Sequence, residues 1–279
     1  MWQYAGGSTW NQTTLPVDVL SQIPELVLVQ CPRLGGVWTA TPAEGMTAVM
    51  LSTSLGDFFY ETVTATCVGF YSGSFGTSTN NLQYDSPVSV YGSGSFSPSY
   101  YTYYNNGSCP GAEPDTFSGT LVPGSSLHLT TTGGISGGVF TINWTPMGLT
   151  NSVQSVEYDE LSSLSAISGN WIGDNTGFGQ GGLTISSTGA FSTEDASCDC
   201  ILTGQVALMN QPYSNATVGS YNMYSFTASI LQSVPDQGDP HSAGTETGLL
   251  TIINGNQLIW GGTITNGASV TSVMHTLTR

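Results

Sequence analysis

Gly36-Val37-Trp38-Thr39 and Gly169-Asn170-Trp171-Ile172 are the two stretches whose reading decides the fold. A cysteine follows each at one offset: Cys67 lies 31 positions after Gly36, and Cys200 lies 31 after Gly169. From Gly169 to Arg279 there are 111 residues, and an equal span from Gly36 ends at Pro146. A Gly-x-Trp opening with a cysteine at the same distance, found twice, marks a tandem duplication. The chain then divides into an N-terminal segment, 1–35, a first repeat, 36–146, a linker with a short helix, 147–168, and a second repeat, 169–279.

Within each repeat, apolar and polar residues alternate in short runs between Gly, Asn and Ser turns, the period of β-strands. In the first repeat these runs are Thr47–Thr53, Phe58–Thr64, Cys67–Phe75, Val88–Tyr91, Thr116–Val122, Ser126–Thr132 and Val139–Thr145. In the second they are Gly182–Ser187, Ile201–Met209, Tyr221–Leu231, Gly248–Ile253, Gln257–Thr265 and Ser272–Leu277. Asn254-Gly255 suits a tight hairpin turn, because both residue types accept positive φ. Seven or eight antiparallel strands in 111 residues predict an all-β fold of two tandem domains, each a small closed barrel or a sandwich. Two segments read as short helices placed before the repeats: Leu15–Gln22, with Pro16 early in it, and Glu157–Ile167.

The run Leu161–Gly173, the segments Leu183–Phe191 and Cys200–Gly204, Gly248-Leu249-Leu250-Thr251-Ile252 and the terminal arginine resemble small β-barrel repeats of uncharacterised secreted or lipid-anchored proteobacterial proteins. The Gly-x-Trp opening also looks like that of lipocalins. In those proteins the tryptophan packs across the closed end of the barrel, which makes Trp38 and Trp171 the candidate end-packing residues. The resemblance covers most of 169–279 and, more loosely, 36–146. It implies a fold and a location outside the cytoplasm, and little about activity.

Composition restricts the function classes. Only 7% of the residues are charged, the sole cations are Arg33 and Arg279, and the formal net charge is −16. A chain with two cations cannot neutralise a run of phosphates, which argues against nucleic-acid binding, and anionic lipid surfaces repel it. No apolar stretch reaches the length of a membrane-spanning helix. Hydrophobic residues at 39% set the chain apart from disordered Gly/Ser-rich sequence. The start, Met1–Gly7, has neither a basic nor an apolar region of a secretory leader, so either such a leader has been removed, the reading favoured here, or the protein is not exported by that route. A Gly/Ser-rich terminus frays unless held, and 1–35 is therefore read as docking on this chain or on a neighbour.

Five cysteines, Cys31, Cys67, Cys109, Cys198 and Cys200, are an odd number, which in an exported protein implies disulfides and one thiol left over. Cys67 with Cys109 is the first pairing considered. Cys200 has two alternatives, Cys31 or Cys198. An intermolecular bond through Cys31 would staple an assembly. Zinc fits poorly, since Cys-x-Cys lacks the two-residue spacing and His128, His241 and His275 are scattered.

Motifs that match on paper lose their meaning in context. Gly134-Ile135-Ser136-Gly137-Gly138 has the spacing of a nucleophile elbow, but a strand follows where that elbow needs a helix. Gly177–Gly182 has the Gly-x-Gly-x-x-Gly spacing, yet it also lies between strands. Carboxylates gather at Glu157, Asp159 and Glu160, at Glu194, Asp195 and Asp199, and at Asp236 and Asp239. No group has the spacing of a calcium loop, so solvated loop charge is the reading, and no cofactor is implied; calcium as a structural staple is the one ion they could serve. Tyr100, Tyr101, Tyr103 and Tyr104 make a dense aromatic loop, and alternation prevents all four from facing one core, which marks an interaction loop. The expectation is a non-enzymatic extracellular, cell-surface or periplasmic protein, a structural, matrix or filament subunit whose partner is its own copy or another surface protein. A small-molecule binder using a lipocalin-like barrel interior is the alternative.

Overall fold

The structure, a computed structural model, describes residues 2–4, 10–12, 35–40, 47–53, 56–63, 68–77, 88–98, 113–122, 125–133, 138–146, 162–173, 182–195, 200–209, 222–232, 243–267 and 269–279. The chain divides into two compact units, Met1–Cys31 and Pro32–Arg279. In the first, β1 (Trp2–Tyr4) pairs antiparallel with β2 (Trp10–Gln12).

The second unit contains two barrels of eight strands. The first runs through β3 (Gly36–Ala40), β4 (Thr47–Ser52), β5 (Asp57–Val63), β6 (Val68–Thr77), β7 (Val88–Pro98), β8 (Glu113–Val122), β9 (Ser126–Gly133) and β10 (Gly138–Pro146). The second runs through β11 (Gly169–Gly173), β12 (Leu183–Ile185), β13 (Ala190–Asp195), β14 (Cys200–Leu208), β15 (Tyr224–Gln232), β16 (Gly244–Ile253), β17 (Gln257–Asn266) and β18 (Ser269–Thr278). Each strand pairs antiparallel with the next, and β10 returns to β3 as β18 returns to β11. Of the two architectures the pattern allowed, the closed barrel is the one adopted. Closure leaves no unpaired sheet edge.

Both repeats open in one way. Gly36 and Gly169 have φ of 139° and 130°, backbone that a side chain resists, so the first residue of Gly-x-Trp is fixed by conformation. Two positions on, Trp38 and Trp171 point inward and are buried. Cys200 begins the fourth strand of its barrel, and β6, the fourth strand of the first, begins one residue after Cys67. The duplication is structural as well as sequential.

Some strand limits differ from the pattern. Ala190–Asp195 forms β13, although its polar residues read as a loop. β16 begins at Gly244, four residues before its apolar run. The helix placed over Glu157–Ile167 is, among the described residues, one turn, α1 (Leu164–Ile167), which Ser163 caps by accepting from the Ala166 N–H at 3.2 Å. Leu15–Gln22 lies outside the described residues. Asn254 and Gly255 form the expected turn, both with positive φ.

Each lumen is filled by its own side chains. In the first barrel Phe58 stacks on Phe75 at 4.1 Å and Tyr60 on Tyr71 at 4.2 Å, with Phe117 edge-on to Phe58 at 5.1 Å. In the second, Trp260 lies 3.7 Å from Phe226 and edge-on to Phe191 at 5.1 Å. Aromatic pairs at such distances add about 0.5–1.5 kcal/mol each to the area they bury.

A third apolar cluster joins the barrels through outward-facing residues. Val37, Leu51 and Phe70 of the first meet Leu249, Ile253, Ile259, Met274 and Met223 of the second, with Phe59 packed against them. Parts of β4, β16 and β17 are thus buried on both faces, and there the alternation gives way to continuous apolar runs such as Ala48–Leu51 and Leu258–Trp260. Burying eight such side chains, at about 1.5–3 kcal/mol each, outweighs a polar contact across the seam such as Ser272 to Ser72 at 2.8 Å, worth about 1 kcal/mol. Gly261 permits the approach, since a Cβ there would come within 2.8 Å of Phe59 Cβ. The Gly261→Val variant is expected to lose about 1–3 kcal/mol of stability through this overpacking, measured as a lower urea midpoint; an unchanged midpoint would show that the seam yields freely.

Candidate functional site

The second barrel carries two groups of polar side chains, one at the end that α1 covers, here called its closed end, and one in its lumen. At the closed end Trp171 is fully buried and its indole N–H donates to the Ile167 carbonyl of α1 at 2.8 Å. The guanidinium of Arg279 lies 4.6 Å over the Trp171 ring. Its Nε donates to the Gly255 carbonyl at 2.8 Å and its Nη1 to the Ser168 carbonyl at 3.2 Å. One arginine therefore ties the last strand to the residue after α1 and to the β16–β17 turn. Tyr224 completes the plug: its hydroxyl accepts from the Ser163 N–H and donates to the Ser163 carbonyl, each at 3.1 Å.

The first barrel solves the same problem differently. Trp38 donates to Ser52 Oγ at 3.1 Å. Ser52 pairs with Gly36 as Ile185 pairs with Gly169, so a hydroxyl stands where the second barrel has an apolar side chain. Pro146 occupies the offset of Arg279 and has no charge to offer.

Within the second lumen lies Glu246, 2% exposed among Phe226, Trp260 and Ile264. Trp260 Nε1 donates to its Oε1 at 2.7 Å. Desolvation raises the carboxyl pKa from 4.5 to about 7, the Trp260 bond acting in the opposite sense. His275 stands on β18 opposite Trp260, between the core residues Val273 and Leu277.

Sequence reading missed Glu246 because Thr245-Glu246-Thr247 looks like loop. Its parity was the available signal: counting back by two from Leu250 through Gly248 puts it inside. Of the residues singled out from sequence, Trp38 and Trp171 are both buried in their barrels, and no described element brings them together. Cys200 faces Asp195 and Gln232 in register, with its side chain outside the described residues. Cys31, Cys67, Cys109, Cys198, Tyr100, Tyr101, Tyr103 and Tyr104 lie outside the described residues, as do Glu157, Asp159, Glu160, Asp199, Asp236 and Asp239. The Gly134–Gly138 and Gly177–Gly182 tracts join β9 to β10 and β11 to β12, antiparallel neighbours in both cases. Neither has the helix its motif requires. No group of three or more His, Cys, Asp or Glu positioned to hold a metal occurs among the described residues. No helix among them is long and apolar enough to cross a membrane.

No protein-family model and no curated protein matches the chain.

Arg279→Met keeps the aliphatic stem over Trp171 and removes the charge and both donors. Because Arg279 is exposed, the expected loss is about 1–2 kcal/mol, from one cation–π contact and two charge-assisted hydrogen bonds. Thermal unfolding checks it, and a variant as stable as the parent would remove Arg279 from the account of the closed end.

Proposed function

We propose that this chain is a non-enzymatic extracytoplasmic protein that works through its outer surfaces, as a cell-surface, matrix or filament subunit. The observation that carries the reading is that each barrel uses its interior for its own packing, which leaves the outside for recognition. That outside is hydroxylated and nearly free of cations. One row of exposed residues, Thr184, Ser192, Thr203, Ser229, Thr245 and Thr265, runs from strand to strand around the second barrel in direct register. Such a surface stays soluble without lysine and can exchange water hydrogen bonds for hydrogen bonds to a partner. Ile201 and Leu231, paired across β14 and β15 and exposed, add an apolar spot on the same wall. The unit Met1–Cys31 supports assembly as well, because a two-stranded sheet of three-residue strands is marginal alone and gains from a further strand.

Light scattering tests this. The full chain is expected to form particles larger than its 29.1 kDa mass, and deletion of residues 1–31 to return it to the monomer. A full chain that is monomeric at high concentration, or a deletion that assembles unchanged, would reject the reading.

A second reading rests on the first barrel. Trp144 Nε1 and Thr131 Oγ1 are buried there without a hydrogen-bond partner among the described residues. Buried donors of this kind are what a small ligand carrying an acceptor would satisfy. Native mass spectrometry separates the two: a retained small molecule favours the binder, and a bare mass favours the surface protein.

A further inference from the structure

A carboxyl group enclosed in an apolar barrel needs an account of its own. Glu246 enters the lumen from the third position of β16, where Gly262 of β17 makes room. A Cβ on Gly262 would stand 2.6 Å from Glu246 Oε1 and 2.9 Å from Phe226 Cζ. Trp260 offers that oxygen a single N–H. An ionised carboxylate in so dry a place calls for several donors or a cation.

The neighbouring elements bring little to balance a charge. Among the described side chains, β11, β12, β13 and β14 turn apolar residues and Thr193 toward the lumen. From β15 comes Tyr224, whose hydroxyl is engaged by Ser163 at the closed end. From β18 comes His275, opposite Trp260. Arg279 is held at the closed end by Trp171, Gly255 and Ser168. Asp195, in register with Cys200 near the other end, has its side chain outside the described residues.

We propose that Glu246 is a proton-operated latch: its neutral carboxyl lets β16 and β17 close around the lumen, and its ionisation loosens the half of the barrel that holds it. The group sits two residues inside the start of β16, so loosening needs only the first part of one hairpin to open and admit water. Burial keeps the proton on the folded chain up to about pH 7, whereas the unfolded chain releases it near 4.5. Across that window the folded state binds more protons than the unfolded state, so stability falls as pH rises and levels off above it. The 18 carboxylates, faced by two cations, push in the same direction, and a control for general charge is needed.

The test is urea unfolding of the full chain at pH 5 and pH 8, for the parent, Glu246→Gln and Asp57→Asn. Glutamine keeps an oxygen for the Trp260 N–H and cannot ionise; Asp57 is an exposed carboxylate on the other barrel. The parent's unfolding constant is expected to rise roughly 100-fold more over this interval than that of Glu246→Gln, with Asp57→Asn following the parent. Amide exchange of the parent should lose protection at the start of β16 and the facing end of β17 at the higher pH, beyond the intrinsic change in exchange rate. Equal pH dependence in the parent and Glu246→Gln would overturn the proposal, as would lost protection confined to other strands. Should Glu246→Gln fail to fold, carbon-13 titration of the parent decides: a Glu246 carboxyl that titrates near 4.5 overturns the latch, and one near neutrality upholds it.

Discussion

Closure of each sheet is the constraint from which the other features follow. With β10 hydrogen-bonded to β3 and β18 to β11, each described strand of a barrel has a neighbour on both sides, and side chains have only two places to go. One face of each strand turns into the lumen, where the aromatic stacks of the first barrel show how its side chains fill the interior. The other face meets solvent, except where a third cluster covers outward-facing residues such as Val37, Leu51, Leu249 and Ile259. The seam exists because closed barrels cannot join edge to edge. They can only press face to face.

The two copies have diverged where their lumens end. In the second, α1, Trp171, Tyr224 and Arg279 form a plug in which each polar group meets a backbone partner or a ring. In the first, Trp38 is served by Ser52, and proline stands at the offset of Arg279. A shared Gly-x-Trp therefore does not mean a shared closed end. Each copy gives the indole N–H of its Gly-x-Trp tryptophan a partner close at hand, Ser52 Oγ in one and the Ile167 carbonyl in the other. The same logic explains Glu246, placed where its oxygen meets the N–H of Trp260, although the burial that makes this bond also withholds water from the carboxyl.

Much of this was legible in the residues, and the exceptions have physical causes. Alternation in Ser126–Thr132 gave a strand close to its observed limits, since one of its faces is apolar. Ala190–Asp195 was not legible: its inward residues include Thr193, whose hydroxyl finds the Gly182 carbonyl at 2.6 Å, a partner no local pattern announces. The seam was half legible, because continuous runs such as Ala48–Leu51 say that both faces are buried but do not say against what.

From the sequence alone came the duplication, the strand period, the glycine that each repeat needs at its opening, and the near-absence of cations. These depend on neighbours along the chain or on composition, and so need no knowledge of distant contacts. Tertiary structure alone decided that each sheet closes on itself, that the two barrels share an apolar face, that Arg279 reaches Trp171, and that Glu246 faces inward. Each of these joins residues far apart in the chain, or turns on which side of a strand a single residue lies, and local sequence carries too little information about long-range pairing to fix either.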